Sequence, residues 1–590
     1  MMTKPSAVRG EPGRWRRAVW MAGLFVVALA GWTLYLIQMD ATVFNDPEAS
    51  EMQKWTTWVG VPLAGLLLVL LSQWGLTAFA TSRGEAKAEA RNSAAQHNAA
   101  SLAGQDPRHY VLEVIGLGVS LDKHRQGRLW DALRQGAPFT TIREQDPRKY
   151  PYTADDKMDI EGGADASALE NGIRGLPMYW PAPSFYATEP STDPERPPSD
   201  TDPVIGVVAG TDSNGLGQTL FIPAGYTLSD HPDRMLEQAF AFFDAHPDLP
   251  YLVVAANDGL YFRHLNRPKG APPLVRDGHY IPEMPGSSAL FVLARRERVE
   301  ALRPFAFDDT DRDVLGREQN RTGLARRLFL THLRLSRQLG QAMGEVRGMK
   351  VSSRWPTVPE WLAAAKAFAQ RPDVIGSKSV SLLDVADDVV HTPKGYVPSP
   401  WFPIPWNRDQ LETFDRLPTL GYLHRPTYIK LTDADGKPLT RRSERIAALV
   451  RGWNQALETL PEAQRRAALK RVISSTGGSN DTLVELTALI DAQAEAGGPA
   501  LHLDKPREWI NLEPRLGNTG SASWFMGMAI GVMGSYIDGG VSAAINLRND
   551  REASLIFISP PPPEKVKAQG SAIFKNQVTP AIDPANYQQR

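Results

Sequence analysis

The chain opens with two long apolar runs and only then settles into the short apolar segments of a folded body. The first run, Ala18 to Met39 (AVWMAGLFVVALAGWTLYLIQM), carries no charge. The second has its core at 58–80, inside the uncharged stretch Trp55 to Ser82. Each exceeds the ~20 residues that span a hydrocarbon core, and in lipid such a segment satisfies its backbone as a helix. Trp15, Trp20, Trp55, Trp58 and Trp74 stand near the ends, where amphipathic rings favour the headgroup level. The pattern predicts transmembrane helices over 18–39 and 58–80, joined into a hairpin by a short polar spacer.

Flanking charge orients the pair. Lys4, Arg9, Arg14, Arg16 and Arg17 precede the first run, and Arg83, Lys87 and Arg91 follow the second. The spacer carries Asp40, Asp46, Glu48 and Glu51 against a single Lys54. Lys and Arg favour the cytoplasmic side of short loops. Residues 1–17 are therefore expected to be cytoplasmic, 40–57 external, and the rest cytoplasmic: a two-pass inner-membrane protein in contact with membrane lipid. A signal peptide is the rival, since Arg14–Arg17 lead into an apolar run that contains Ala28–Ala30. That run continues well past such a site to Met39, and the second run would still return the chain to the cytoplasm.

Residues 81–107 read as a polar, Ala-rich stem. Beyond it the periods change. Tyr110 to Val119 (YVLEVIGLGV) predicts a strand, and Gln126–Arg134 an amphipathic helix. Residues 135–180 read as irregular. Pro181 to Pro203 holds seven prolines among Ser, Thr, Asp and Glu and reads as an exposed connection. Val204–Ala209 (VIGVVA) and Tyr251–Ala256 (YLVVAA) predict buried strands. Between them a helix opens at Asp230–Pro232 and shows one face through Leu236, Ala239, Phe240 and Phe243. Strand, helix, strand of this kind implies a parallel pair. Ser288–Ala294 adds a strand, Arg295–Leu302 a short helix, and Asp313–Gly340 a longer Arg-rich helix with an interruption near Gly323.

Thr357 and Glu360 form a capping-box pattern ahead of a helix ending at Ala369. Ser379–Val390 contains a strand. His391–Asn407 (HTPKGYVPSPWFPIPWN) is too rich in proline for regular structure. Thr427–Leu431 and the residues after Pro438 read as a hairpin closed by DADG. Helices are expected at Ser443–Leu457, Glu462–Ser474 and Thr482–Ala494, and a strand at Ser554–Ser559, stopped by four prolines. The fold class is thus a mixed α/β body with parallel strand–helix–strand units, preceded by the hairpin. Its expected division is an N-terminal part at 108–350 and a C-terminal part at 351–590.

Composition narrows the function. The chain has 590 residues, 65 of them basic and 66 acidic, so no basic excess points to nucleic acid. It has no cysteine, which excludes disulfides, thiolate metal sites and cysteine nucleophiles.

Candidate chemistry is sparse. Gly210-Thr-Asp-Ser-Asn-Gly215 is the nearest approach to a serine-hydrolase turn, but Thr211 stands where the first glycine belongs and no helix signal follows Ser213. The eleven histidines show no helical metal pair. Asp433-Ala-Asp435-Gly436 starts like a calcium loop yet lacks its later ligands, and reads as a hairpin turn. Asp308, Asp309, Asp311 and Asp313 precede a helix, where negative charge is stabilising in its own right. Gly116-Leu-Gly118 lacks the third glycine of a dinucleotide fingerprint. The glycine-spaced stretch Ser523 to Ile537, with Gly527, Gly531 and Gly534, reads as a tightly packed core segment, being short for a third span. Trp401, Phe402 and Trp406 fit either a partner surface or a loop packed on its own domain. The sequence therefore nominates no catalytic, cofactor-binding or metal-ligating residue.

Four stretches carry a family likeness. LHRPTYIKLTDADGKPL (Leu423–Leu439) and GSYIDGGVSAAINLRNDREASLIFISPPPP (Gly534–Pro563), with VIGVVAGTDSNGLG (Val204–Gly217) and LPYLVVAANDG (Leu249–Gly259) further forward, resemble the type VI lipase adapter proteins of proteobacteria. The likeness covers about residues 105–585. It implies a non-enzymatic adapter that binds a phospholipase effector and brings it to the type VI spike protein, with no catalytic residue to carry over. The membrane hairpin would tether such an adapter. The alternatives are a membrane-anchored hydrolase using Ser213, in the strand-then-loop setting of Asp212 and Ser213, with an aspartate and a histidine from elsewhere, and a structural subunit of a cell-envelope machine.

Overall fold

The computed structural model describes residues 110–190, 219–309, 323–376 and 390–578, apart from 151, 266, 269, 347–348 and 466–468. All of these belong to one compact unit, Leu102–Arg590. In chain order its first elements are β1 (Val111–Leu121), β2 (His124–Arg125), α1 (Gly127–Gln135), α2 (Ala154–Ile173), β3 (Pro181–Thr188), β4 (Leu220–Leu228), α3 (Arg234–Ala245), β5 (Tyr251–Asp258), α4 (Leu260–Leu265) and β6 (Ser287–Ala294). A middle stretch follows with α5 (Leu324–Met343), β7 (Glu345–Val346), β8 (Met349–Lys350), α6 (Val358–Ala369), α7 (Pro372–Ile375) and α8 (Arg408–Arg416). The last part holds β9 (Gly421–His424), β10 (Thr427–Lys430), α9 (Arg442–Leu457), α10 (Glu462–Arg465), β11 (Leu469–Ser475), α11 (Asn480–Glu495), β12 (Trp509–Asn511), α12 (Leu512–Leu516), α13 (Ser523–Asp538), β13 (Val541–Asn546), β14 (Glu552–Ser559) and α14 (Pro563–Gln569).

One mixed sheet runs through both ends of the chain, in the order β12-β11-β13-β14-β9-β1-β6-β5-β3-β4. β3 is parallel to β4 and β5, and β11 is parallel to β12 and β13. The ladders between them, β5–β6, β6–β1, β1–β9, β9–β14 and β14–β13, are antiparallel. The strand–helix–strand unit is β4, α3 and β5, with β3 paired between the two strands. Leu236, Ala239, Phe240 and Phe243 of α3 are buried as their spacing requires. Val204–Ala209 lies outside the described residues.

Two helices close the core. α2 lies on β1 and β6, and α13 lies on β11, β13 and β14. Fourteen consecutive residues of α13, Ser523 to Tyr536, are buried. Each of its large apolar side chains contributes about 1.5–3 kcal/mol on leaving water. Its glycines make the fit. A Cβ at Gly531 would stand 2.5 Å from Ile558 Cδ1, so the stretch is a core helix.

Several expectations are corrected. The expected two-pass inner-membrane placement is overturned: among the described residues no helix is long and apolar enough to cross a membrane. The most apolar helix, α13, is sealed inside protein and spans 16 residues. The runs 18–39 and 58–80, like the segments 1–17, 40–57 and 81–107, lie outside the described residues. The fold class of the described residues is accordingly a mixed α/β sheet body, with no transmembrane hairpin among them. Within 135–180, read as irregular, stands the 20-residue α2. It is buried on most of its circumference and contains Gly162 and Gly163, so it shows no amphipathic stripe. Pro181–Thr188 is an interior strand rather than an exposed connection. Its prolines are tolerated because β5 pairs only from Ser184 onward. The helix expected over Glu462–Ser474 stops at Arg465, and LKRVISS becomes β11 between β12 and β13.

Candidate functional site

The residues singled out by sequence are mostly committed to structure. A Cβ at Gly118 would lie 1.6 Å from the Ala168 carbonyl oxygen, and one at Gly116 would lie 2.2 Å from that of Gly172. These glycines let α2 press its backbone onto β1, and no phosphate loop is formed there. Asp433 Oδ1 accepts from the backbone N–H groups of Asp435 and Lys437, each at 2.9 Å, and Gly436 has φ +78: the hairpin turn is as read. Asp309 accepts from the Leu324 and Ala325 N–H groups at 3.0 Å through its two oxygens and so caps α5. Trp401, Phe402 and Trp406 are buried. Trp180 packs on Phe402 and Trp406 with ring centroids 5.3 and 5.7 Å apart, so this loop is a plug on its own body rather than a partner surface. Asp212, Ser213, Asp311, Asp313 and Ser379–Val389 lie outside the described residues.

The densest polar cluster joins the first and last parts of the chain. Asp258, fully buried at the end of β5, accepts from Arg263 Nε at 2.9 Å and Nη2 at 2.7 Å. It also accepts from Ser521 N at 2.8 Å and Ser521 Oγ at 3.1 Å. Arg263 reaches on to Asp230 at 2.9 Å. Across this junction Arg548 donates to the Gly520 carbonyl and to Ser523 Oγ. Gly520 sits at φ +50 against the carboxylate, where no side chain would fit. These groups are mutually satisfied, which makes the junction a fastening.

A second cluster lines a small cavity of about 20 Å³ beside the first turns of α2, bounded by Asp122, Arg143, Tyr150, Lys157, Glu161 and Gly286. Tyr150 donates to Asp122 at 2.7 Å, and Glu161 accepts from Tyr261 N at 2.8 Å. Glu161 keeps a little accessible surface but is packed by protein on every side. Burial pushes its carboxyl up to about 8, with the Asp122 charge adding to the effect. Lys157 donates to the Arg276 carbonyl at 2.8 Å, lies 3.7 Å from the Tyr280 ring centroid, and is drawn down to about 8 by burial. The space admits a water molecule and little more.

His424 and Ser559 are 2.8 Å apart and both buried. His424 Nδ1 lies 2.8 Å from the Thr459 carbonyl oxygen, which ties that side of the ring to the backbone. A carbonyl therefore stands where a triad has its carboxylate. Ser559 Oγ donates its one proton to the Gln464 side-chain oxygen at 2.7 Å, away from the imidazole. The pair pins the end of β9 to the end of β14. It thereby joins the two C-terminal stretches that carried the family likeness, which also meet in the β10–β14 ladder from Thr427↔Leu555 to Lys430↔Glu552.

With this frame in place the comparisons fall on it cleanly. Residues 110–277 match the family described as type VI lipase adapter protein Tla3, N-terminal, and residues 420–560 match its C-terminal counterpart. The two matches together cover more than half of the chain. The chain belongs to the type VI lipase adapter family. The adapter's N-terminal match contains β1 to β5, and its C-terminal match contains β9 to β14, so family identity coincides with the two ends of one sheet. Among solved structures the chain is similar to the ketosynthase from module 6 of the bacillaene synthase from Bacillus subtilis 168, at 10% identity over 77% of this chain and 71% of that one, TM-score 0.37. It is likewise similar to 3-oxoacyl-[acyl-carrier-protein] synthase III from Aquifex aeolicus VF5, at 9% identity over 76% and 99%, TM-score 0.31. Overlap this low carries no residue role across.

Sequence reasoning missed the Asp258 junction and the Glu161 cavity. Asp258 carried a usable signal, a charged residue ending an otherwise apolar strand. Glu161 carried none, because α2 itself went unseen.

Proposed function

We propose that this adapter binds a phospholipase effector through a preformed surface of its α/β body, helps load it on the type VI spike protein, and turns over no substrate itself. The observation that carries the reading is the family match at both ends of a single sheet. The polar clusters favour it too. The Asp258 junction is closed by its own hydrogen bonds, the Glu161 cavity is about the size of one water, and His424 and Ser559 are buried with Nδ1 on a backbone carbonyl and the hydroxyl on Gln464. Stable protein pairs bury ~1,600 Å² in all, and a rigid scaffold meets that need with little ordering cost. The test is co-purification of the full-length chain with the phospholipase encoded beside its gene, followed by addition of the cognate spike protein. A stoichiometric lipase complex that then captures the spike is the expected result. No complex at micromolar concentrations refutes the reading.

A further inference from the structure

The two family matches leave residues 278–419 between them, and that interval holds a helix whose outer face has the chemistry of a docking site. α5 buries Ala325, Leu328, His332, Ser336 and Gly340, which places the opposite side of the helix outward. That outer side carries Leu330, Leu333, Arg334, Arg337 and Gln341. The first four stand at i, i+3, i+4 and i+7, the spacing with which one helix grips another. Leu330 and Leu333 are half-buried and belong to neither apolar core. Arg334 and Arg337 are exposed, and among the described residues neither meets a carboxylate. Arg334 only turns back on its own helix, to the Leu330 carbonyl at 3.1 Å and Thr331 Oγ1 at 3.3 Å. At the start of α9, by contrast, Arg441, Arg442 and Arg445 all meet acidic partners. Of the six large apolar side chains exposed among the described residues, Met343, Ile375 and Val397 fall in this same interval.

We propose that the Leu330–Leu333–Arg334–Arg337 stripe is where the lipase docks, and that the element it receives is an acidic helix bearing leucines. The proposal rests on the effector-binding reading above and locates it. Charge selects the occupant. A second copy of this chain would set arginine against arginine across a twofold axis. A membrane surface needs an unbroken apolar strip flanked by cations, whereas here leucine and arginine share one stripe. A partner helix with carboxylates flanking its leucines satisfies both residue types at once.

The experiment measures lipase affinity for the full-length chain, for Arg334→Glu/Arg337→Glu, for Leu330→Asp, and for Arg451→Glu as an exposed control on α9. Arg334, Arg337 and Arg451 are exposed and Leu330 is half-buried, and thermal unfolding of each variant checks that the fold is kept. The expected result is a loss of at least about tenfold in affinity for the double variant and for Leu330→Asp, with Arg451→Glu within about twofold of the parent. The parent complex should also weaken with salt more steeply than the double-variant complex. Binding by the parent that the double variant retains overturns the docking site and leaves the adapter reading standing. Equal losses in all variants, Arg451→Glu included, overturn it as well, because the effect is then one of net charge. Binding of the parent to vesicles with about 30% anionic lipid, lost in the double variant while lipase affinity is kept, would assign the stripe to membrane and overturn it. No lipase binding by the parent removes the adapter reading, and the docking site with it.

Discussion

Replacing Asp258 offers the sharpest check on how the two ends of the chain are held together. In Asp258→Ala the bidentate partner of Arg263 disappears and the buried N–H of Ser521 loses its acceptor, while the Ser521 hydroxyl keeps the Asn257 carbonyl at 3.0 Å. Removing one member of a buried ion pair costs about 3–5 kcal/mol. Summing one orphaned neutral donor and a charge-assisted pair leads to about the same range. Arg263 is about a quarter exposed and keeps Asp230, so the low end, ~3 kcal/mol, is expected. Asp258→Asn should be nearly as damaging despite its matched volume. Its amide offers one oxygen where the site has donors on both sides, so an NH₂ group must face either Arg263 or Ser521. Native-state amide exchange at Ser521 reads the opening of this contact directly. A loss of ~3 kcal/mol accelerates it about a hundredfold. The double replacement Asp258→Ala/Arg263→Ala should be milder than the sum of the singles by more than about 1 kcal/mol. Strict additivity, or an Asn variant that exchanges as slowly as the parent, would show that the cluster is ornamental and refute the reasoning.

Two further outcomes follow from the packing and the charges. Gly118→Ala puts a methyl carbon 1.6 Å from the Ala168 carbonyl oxygen, which no rotamer can relieve. α2 must lift from β1, with a loss of about 3 kcal/mol or more, seen as a lowered urea midpoint or insoluble protein. Glu161, at about 8 when folded against 4.5 as its ordinary value, holds a proton in the folded chain that the unfolded chain releases. Its contribution therefore weakens stability as pH rises from about 4.5 to about 8 and is level above that, with a slope of at most about 1.4 kcal/mol per pH unit. Glu161→Gln should be more stable than the parent at pH 8 and equal to it near pH 4, by urea midpoint at each pH. A constant difference across that window would contradict the assignment.

What the sequence disclosed depended on whether an element keeps one face in water. α3, α9 and α11 do, and their boundaries were legible to within a residue or two. So were β1, β5, β6 and β14, whose apolar runs are short and bounded. The capping box at Thr357 and Glu360 is present and fixes the start of α6. α2 was invisible for the opposite reason. It is buried nearly all round among polar and glycine residues, so no period of 3.6 marks it. β11 was misread because LKRVISS continues the helical charge pattern of PEAQRRAALK, and only its place between two parallel strands decides the matter. The polar junction at Asp258 joins residues more than 250 positions apart, which local pattern does not convey. The long apolar N-terminal runs pointed to a bilayer by length alone, an argument the described helices do not extend.

The cap on α5 has a practical side. Asp309 grips the N–H groups of Leu324 and Ala325, so the chain leaves residue 309 and re-enters at the same spot. Extra residues placed between those two anchor points are tethered at both feet, and doubling the length of such an excursion costs only about 0.6 kcal/mol in closure entropy. The anchor itself, where α5 begins, stands roughly 10 Å along the helix axis from Leu330. The adapter thus supplies its own mounting point for a fluorescent reporter, one that can register a guest arriving on the neighbouring stripe while every strand of the sheet is left untouched.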